Sequence, residues 1–202
     1  MTNINKLIQD LTLREKISLM SGFNSWYTNK IDRLDIPSIK MSDGPNGVRG
    51  DSTSGKSSAC FPCAISIGST WDMDLINQLG VALGEEAKVK DVDVLLGPTI
   101  NIHRHPLGGR HFESFSEDPF LTGKIATEYV KGVQSQNVAA CLKHFIGNDT
   151  EYERHLVSSN IDEKTLREIY LLPFEMGVKE GNAQVVMSAY NKLNNIYCSS
   201  HK

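Results

Sequence analysis

An α/β fold with a mainly parallel sheet follows from three observations on this sequence. Four short, aliphatic runs stand roughly fifty residues apart, Ile36–Met41, Val92–Leu96, Val138–Leu142 and Gln184–Met187. Most lack polar alternation, as strands covered on both faces do. Helical patterns fill the intervals, and strand–helix alternation implies crossover connections in one parallel sheet. About four such units fit into 202 residues. A complete eight-strand α/β barrel uses about 250.

Thr12 and Glu15 form a capping box ahead of Lys16–Met20, and Gly22 is a stop signal. The run Ile36–Met41 then predicts the first strand. Asp72 caps a helix whose apolar stripe is Leu75, Ile76, Leu79, Leu83 and Ala87. After the second strand, Asp118-Pro119 pairs an N-cap with proline at the first helical position. Leu121, Ile125 and Tyr129 recur every four residues behind it. After the third strand, Asp162 opens a helix through Leu166, Ile169 and Tyr170, and Pro173 kinks or restarts it. The fourth strand follows. No internal repeat, low-complexity tract or linker interrupts residues 1–202, which are read as one domain.

Composition removes several function classes. The net charge is −3, with 21 basic and 24 acidic residues. No basic face is available to neutralise phosphates, so a nucleic-acid partner is not expected. No apolar run reaches the ~18 residues of a membrane span. The start, Met1 to Lys6, lacks a basic flank followed by an apolar stretch, which predicts a cytoplasmic protein. Four cysteines do not make a disulfide framework. Cys60-Phe61-Pro62-Cys63 is a lone C-x-x-C without the second pair a zinc site needs. His103-Arg104-His105 has no third ligand at helical spacing, so no metal or other cofactor is expected. Gly50-x-x-x-x-Gly55-Lys56-Ser57 matches a phosphate-loop pattern. Its context is wrong, because a turn at Asp43–Gly47 precedes it and Pro62 closes off a following helix. A nucleotide binder is therefore the remote alternative.

Functional residues of parallel α/β folds gather after the C-terminal strand ends. Here those positions carry Asp43, then Arg110 and Phe112, then Lys143, His144 and Arg154, then Tyr190. Charged donors, a carboxylate and flat aromatic faces suit a sugar ring. Its hydroxyls take directional hydrogen bonds, and its C–H faces lie on aromatic rings. Each residue also has a plainer role open to it. Asp43 before Gly-Pro can shape a turn, Arg154 can be a surface charge, and Tyr190 can be core. Lys143-His144 at the end of an apolar strand is costly unless it faces a polar cavity.

These segments resemble glycoside hydrolase family 3, in its β-glucosidase branch. Met41-Ser42-Asp43-Gly44-Pro45-x-Gly47-x-Arg49 resembles the family's D-G-P-x-G-x-R segment. Cys60-Phe61-Pro62 and Ser69-Thr70-Trp71-Asp72 resemble its F-P…S-T-W-[ND] stretch. Gly109-Arg110-x-Phe112-Glu113-x-Phe115-Ser116-Glu117-Asp118-Pro119 is similar to G-R-N-F-E-x-F-S-E-D-P, with His111 in place of Asn. Lys143-His144-Phe145-x-Gly147-Asn148 is similar to K-H-F-x-G-N, and Met187-Ser188-Ala189-Tyr190-Asn191 closes the series. Ile146-Gly147-Asn148-Asp149 departs from the K-H-F-P-G-H-G segment of the N-acetylglucosaminidase branch.

The resemblance implies the N-terminal portion of a (β/α)8 barrel, incomplete. It implies that Asp43, Arg110, Lys143, His144, Arg154 and Tyr190 bind the terminal sugar of a small carbohydrate substrate. It also implies that the nucleophilic Asp, in a G-F-x-x-S-D-W-like segment, and the acid/base Glu fall beyond Lys202. The expected function is thus a fragment of a retaining β-glucosidase, with no catalytic carboxylate inside the chain. The alternative is a non-catalytic sugar-binding or regulatory half-barrel.

Overall fold

The computed structural model describes residues 4–50 and 56–201. Two short helices, α1 (Ile4–Asp10) and α2 (Leu13–Leu19), precede the sheet. The capping box at α2 is present in both directions, with Thr12 and Glu15 bonded to each other's backbone. Arg33 joins it from below, reaching Glu15 Oε2 at 2.7 Å. The core then alternates as β1 (Met41–Asp43), α3 (Ala64–Gly68), α4 (Met73–Val89), β2 (Val94–Leu96), α5 (Pro119–Gln134) and β3 (Ala139–Phe145). After these come β4 (Ser158–Ser159), α6 (Glu163–Thr165), α7 (Leu172–Lys179), β5 (Val185–Ser188), β6 (Lys192–Leu193) and β7 (Ile196–Tyr197).

Strands β1, β2, β3 and β5 form one sheet in that spatial order, every pair parallel. This is the expected four-unit arrangement. A second, small sheet has the order β4-β6-β7. No helix among the described residues is long and apolar enough to cross a membrane.

Helices α4 and α5 pack on each other at very short range, and α5 packs on β3. A Cβ on Gly132 would lie 2.3 Å from the Asn77 carbonyl, and one on Gly80 would lie 2.6 Å from that of Tyr129. Glycine at both positions lets the backbones touch. Their caps are as expected, Asp72 accepting from the Leu75 amide and Asp118 from that of Leu121. Ile76, Leu83, Ile125 and Tyr129 are almost completely buried. Leu75 is not: it is 48% exposed, and Gly80 and Gly84 take its place on the inner face of α4.

The strand boundaries correct the sequence reading. The first strand was expected at Ile36–Met41 and forms at Met41–Asp43. Pro37 has no N–H to give to a ladder, and the pairing partner sets the register, with Met41 opposite Val94 and Asp43 opposite Leu96. The third strand was expected to end at Leu142 and continues to Phe145. Asp43, Lys143 and His144 therefore sit on the last residues of strands, where loops after them had been expected. Past Asp162, Leu166–Tyr170 forms a π-helical turn before α7 restarts, with Pro173 in its first turn.

Candidate functional site

Parallel register brings the C-terminal ends of β1, β2, β3 and β5 side by side, and the charged residues collect there. Lys143 is only 3% exposed, and its ammonium sits 3.0 Å from Asp43 Oδ1. A buried lysine without such a partner would be costly. Asp43 and Arg110 line an open cleft of about 460 Å³ together with Pro45, Gly47, Arg49 and Phe112. That volume lies in the range of small-ligand sites. A separate apolar groove between α3 and α4, lined by Phe61, Ile67, Leu75 and Leu79, contains none of the charged residues.

Arg110 is fixed from two sides. Its Nε hydrogen-bonds the buried carboxylate of Glu113, whose other oxygen accepts from Thr99 Oγ1 at 3.1 Å. Its Nη1 lies 3.8 Å from Glu151. Burial works against the Arg110 charge, but Glu113, with Glu151 and Asp43, outweighs it and leaves the pKa above its ordinary value. Glu151 also accepts from Arg154 Nη1 at 3.0 Å, so one carboxylate links the two guanidiniums. Arg154 in turn stacks over the Tyr190 ring, 4.9 Å from its centroid. His155 lies against the same ring at 4.6 Å.

His144 is buried and held through a single side chain, Asn101. The His144 amide donates to Asn101 Oδ1 at 3.0 Å, and Asn101 Nδ2 donates to the His144 carbonyl at 2.9 Å. These backbone contacts fix the amide orientation, because each has only one chemical sense. Asn101 Oδ1 is therefore an acceptor, and His144 Nδ1, 3.1 Å away, carries the ring proton. Desolvation pushes the His144 pKa down to about 3, and the charges of Arg110, Lys143 and Arg154 add to it. The ring is neutral at ordinary pH, with Nε2 as its free lone-pair acceptor.

Asp149, beside this group, accepts from the Tyr170 hydroxyl at 3.0 Å and pairs with Arg104 at 3.7 Å. Burial nevertheless leaves its pKa above the ordinary carboxylate value. The cluster as a whole balances, with Asp43, Glu113 and Glu151 against Lys143, Arg110 and Arg154. Lys143 and Glu113 are its buried members, and the opposite charge beside each makes that burial tolerable.

All six residues singled out from the sequence converge on this region, through the Asp43–Lys143 pair, the Arg110–Glu151–Arg154 chain, the Arg154–Tyr190 stack and a small cavity that Arg110 and His144 both line. Sequence reasoning missed the residues that hold them: Asn101, Glu113 and Glu151. An acid three residues from an arginine, as in Arg110/Glu113 and Glu151/Arg154, was the available signal. Asn101 gave none, since its partner is 43 positions away. The Gly50–Ser57 pattern falls largely on residues 51–55, outside the described residues. The first helix after it, α3, begins only at Ala64. Cys60 and Cys63 are free thiols, and no group of three or more potential metal ligands occurs among the described residues.

A parallel α/β sheet whose strand ends carry a balanced ionic cluster beside an open cleft defines an α/β-barrel type of ligand site, here built on four strand–helix units. The comparisons make this particular. The chain belongs to glycoside hydrolase family 3, because residues 7–202 match the family described as the glycosyl hydrolase family 3 N terminal domain. It is 54% identical over 200 residues to a β-glucosidase of Rhizobium radiobacter, covering 98% of this chain and 24% of that protein. It is 48% identical to thermostable β-glucosidase B of Acetivibrio thermocellus, covering 99% of this chain and 28% of the relative. Among solved structures, a Kluyveromyces marxianus β-glucosidase in complex with glucose superposes with a TM-score of 0.94 at 47% identity. That match covers 98% of this chain and 24% of the other. Thermotoga neapolitana β-glucosidase 3B in complex with glucose gives 0.90 at 42% identity, over 97% and 30% of the two chains. The chain thus spans about a quarter of the length of the relatives it matches.

Proposed function

We propose that this chain is the sugar-gripping N-terminal part of a retaining β-glucosidase that removes terminal, non-reducing β-D-glucosyl residues. The observation that carries the reading is the Asp43–Lys143 pair at 3.0 Å, joining the ends of β1 and β3 across β2, with Asp43 lining the cleft that Arg110 also lines. Two relatives with this fold are described in complex with glucose. Asp43 accepts hydrogen bonds from two adjacent sugar hydroxyls, and Lys143 and Arg110 donate to others. His144 accepts through Nε2, its neutral ring adding no charge beside Lys143. Tyr190, backed by Arg154, offers its face to the sugar near the anomeric carbon.

Hydrolysis proceeds by double displacement through a covalent glycosyl-enzyme intermediate, which requires two carboxylates about 5–5.5 Å apart. We place the nucleophilic aspartate and the acid/base glutamate in the remaining three quarters of the family's length. In this chain the acids at the cleft are already committed: Asp43 to Lys143, and Glu113 and Glu151 to the arginines.

The test has two arms. The intact gene product should hydrolyse 4-nitrophenyl β-D-glucoside with retention and be inhibited by D-glucose, and residues 1–202 alone should show no turnover. Robust hydrolysis by residues 1–202 that survives Asp43→Ala would overturn the division of labour. Absence of both hydrolysis and glucose binding in the intact product would overturn the glucosidase reading.

A further inference from the structure

Helix α4 ends in an ion pair that the sugar cleft does not contain but that its walls depend on. Lys90 caps the helix and is 3% exposed. Its ammonium donates to the Val48 carbonyl and to Ser58 Oγ, both at 2.5 Å, and to Glu86 Oε1 at 3.0 Å. That uses all three ammonium protons. Glu86 Oε1 also accepts the Ala59 amide at 2.8 Å, and Oε2 accepts the Val48 amide at 3.1 Å. Burial opposes the Glu86 charge, but the Ala59 amide, Lys90 and the Val48 amide outweigh it and leave its pKa below the ordinary value.

Val48 and Ala59 lie on the two arms of the segment that follows β1. Their immediate neighbours, Gly47 and Arg49 on one arm and Ser58 and Cys60 on the other, line the cleft beside Asp43. The arms touch: a Cβ on Gly47 would lie 2.1 Å from the Ala59 carbonyl oxygen. The first arm is also tied to Asp43, whose carbonyl accepts the Arg49 amide at 2.8 Å. Val48 is therefore held at both its N–H and its C=O by the pair on α4, and a shift there is passed directly to Asp43.

We propose that Glu86 and Lys90 are positioning residues for sugar binding, which fix the two arms of the β1 loop and through them the reach of Asp43 into the cleft. This rests on the glucosidase reading above. The charges are not needed to seat α4 in the core, since Ile76, Leu83 and Ala87 do that with apolar surface. A buried ion pair is a poor source of stability compared with an apolar one. Its particular ability here is to satisfy two N–H groups, a carbonyl and a hydroxyl on two irregular arms at once, and so to specify their spacing.

The experiment compares wild-type intact gene product with Glu86→Gln and Lys90→Met. Gln offers a single acceptor oxygen, so the Val48 or the Ala59 amide must lose its partner. Met keeps much of the bulk of Lys90 and removes its donors. KM for 4-nitrophenyl β-D-glucoside and Ki for D-glucose should rise together by about 10-fold, while kcat changes less than about 3-fold, the pattern of lost uniform binding. Hydrogen exchange at Val48 and Ala59 should accelerate in Glu86→Gln, with β2 and β3 unchanged. All readings are taken well below each variant's melting temperature, so loss of folded protein does not enter KM. A variant that melts earlier or exchanges faster but keeps wild-type KM and Ki would show a merely structural pair and overturn the proposal. A wild-type protein that neither cleaves the glucoside nor binds glucose would overturn the glucosidase reading, and the sugar-binding role with it.

Discussion

The protonation of His144 offers the most direct check on the site's electrostatics. Its ordinary pKa of 6.5 is lowered to about 3, a difference worth about 5 kcal/mol between the two protonation states. At pH 5 a histidine of ordinary pKa is almost fully protonated, whereas His144 should be only about 1% protonated. The sign for stability follows from linkage. The unfolded chain takes up this proton below pH 6.5 and the folded chain does so only near pH 3. Stability attributable to this ring is therefore intact above pH 6.5, falls as the pH drops, and is fully lost below about 3.

Imidazole ¹⁵N spectra recorded from pH 8 to pH 4.5 read the state directly, with His144→Gln identifying the resonance. The expected signal is a neutral ring protonated at Nδ1 across the whole range. The perturbation is Asn101→Asp, which sets a carboxylate where the amide oxygen now lies 3.1 Å from Nδ1. An opposite charge at that distance raises a pKa by about 1–3 units, so the midpoint should rise to about 4–6 and protonation should become visible at the acid end of the titration. A wild-type midpoint above pH 5, an Nε2-protonated ring, or a midpoint unmoved by Asn101→Asp would refute the account of burial and Asn101 orientation.

Asp43→Ala should lower kcat/KM of the intact gene product by about 100-fold or more. It removes two charge-assisted hydrogen bonds to sugar hydroxyls, worth ~1.5–3 kcal/mol each, and leaves the Lys143 ammonium unpaired. Steady-state kinetics with a nitrophenyl glucoside measure it. Arg110→Lys should raise the glucose Ki by about 10-fold, because lysine cannot span Glu113 and Glu151 with one planar group; an unchanged inhibition constant would remove Arg110 from the sugar grip. Gly132→Ala places a methyl 2.3 Å from the Asn77 carbonyl, and separating α4 from α5 should cost ~1–3 kcal/mol, seen as a lower melting temperature.

Chemical type was far more legible in the sequence than geometry. Helix starts carried local marks, so Thr12, Asp72, Asp118 and Asp162 were all read as caps and all act as caps. Strand ends carry no such mark. The register of β1 is set by β2, some fifty residues away: Pro37 argues against a ladder at Ile36, but no local residue announces that pairing with β2 begins at Met41. The same applies to function. Lys143 and His144 are conspicuous because ionisable groups at the end of an apolar strand are costly, and cost implies a partner. The partners themselves, Asn101 for His144 and Glu113 for Arg110, are ordinary residues until the fold brings them within hydrogen-bond reach.

That asymmetry explains how the cleft is built. A parallel sheet delivers side chains to one edge but cannot specify their angles: β1 ends on Asp43, β3 carries Lys143 and His144 near its end, and Arg110, Arg154 and Tyr190 lie on loops beyond the strands. Angular definition comes from residues one layer back: Asn101 fixes a ring, Glu113 fixes a guanidinium, and Glu86 with Lys90 fixes a pair of loop arms. Each of these makes most of its bonds with backbone groups or with groups of fixed shape, so each removes a rotation; for Glu113, Glu86 and Lys90 the neighbouring opposite charge offsets the cost in desolvation. A substitution in that supporting layer should then change how well the site fits its ligand without changing which groups the site presents. The readouts that separate the two layers are the KM-against-kcat split and the His144 tautomer.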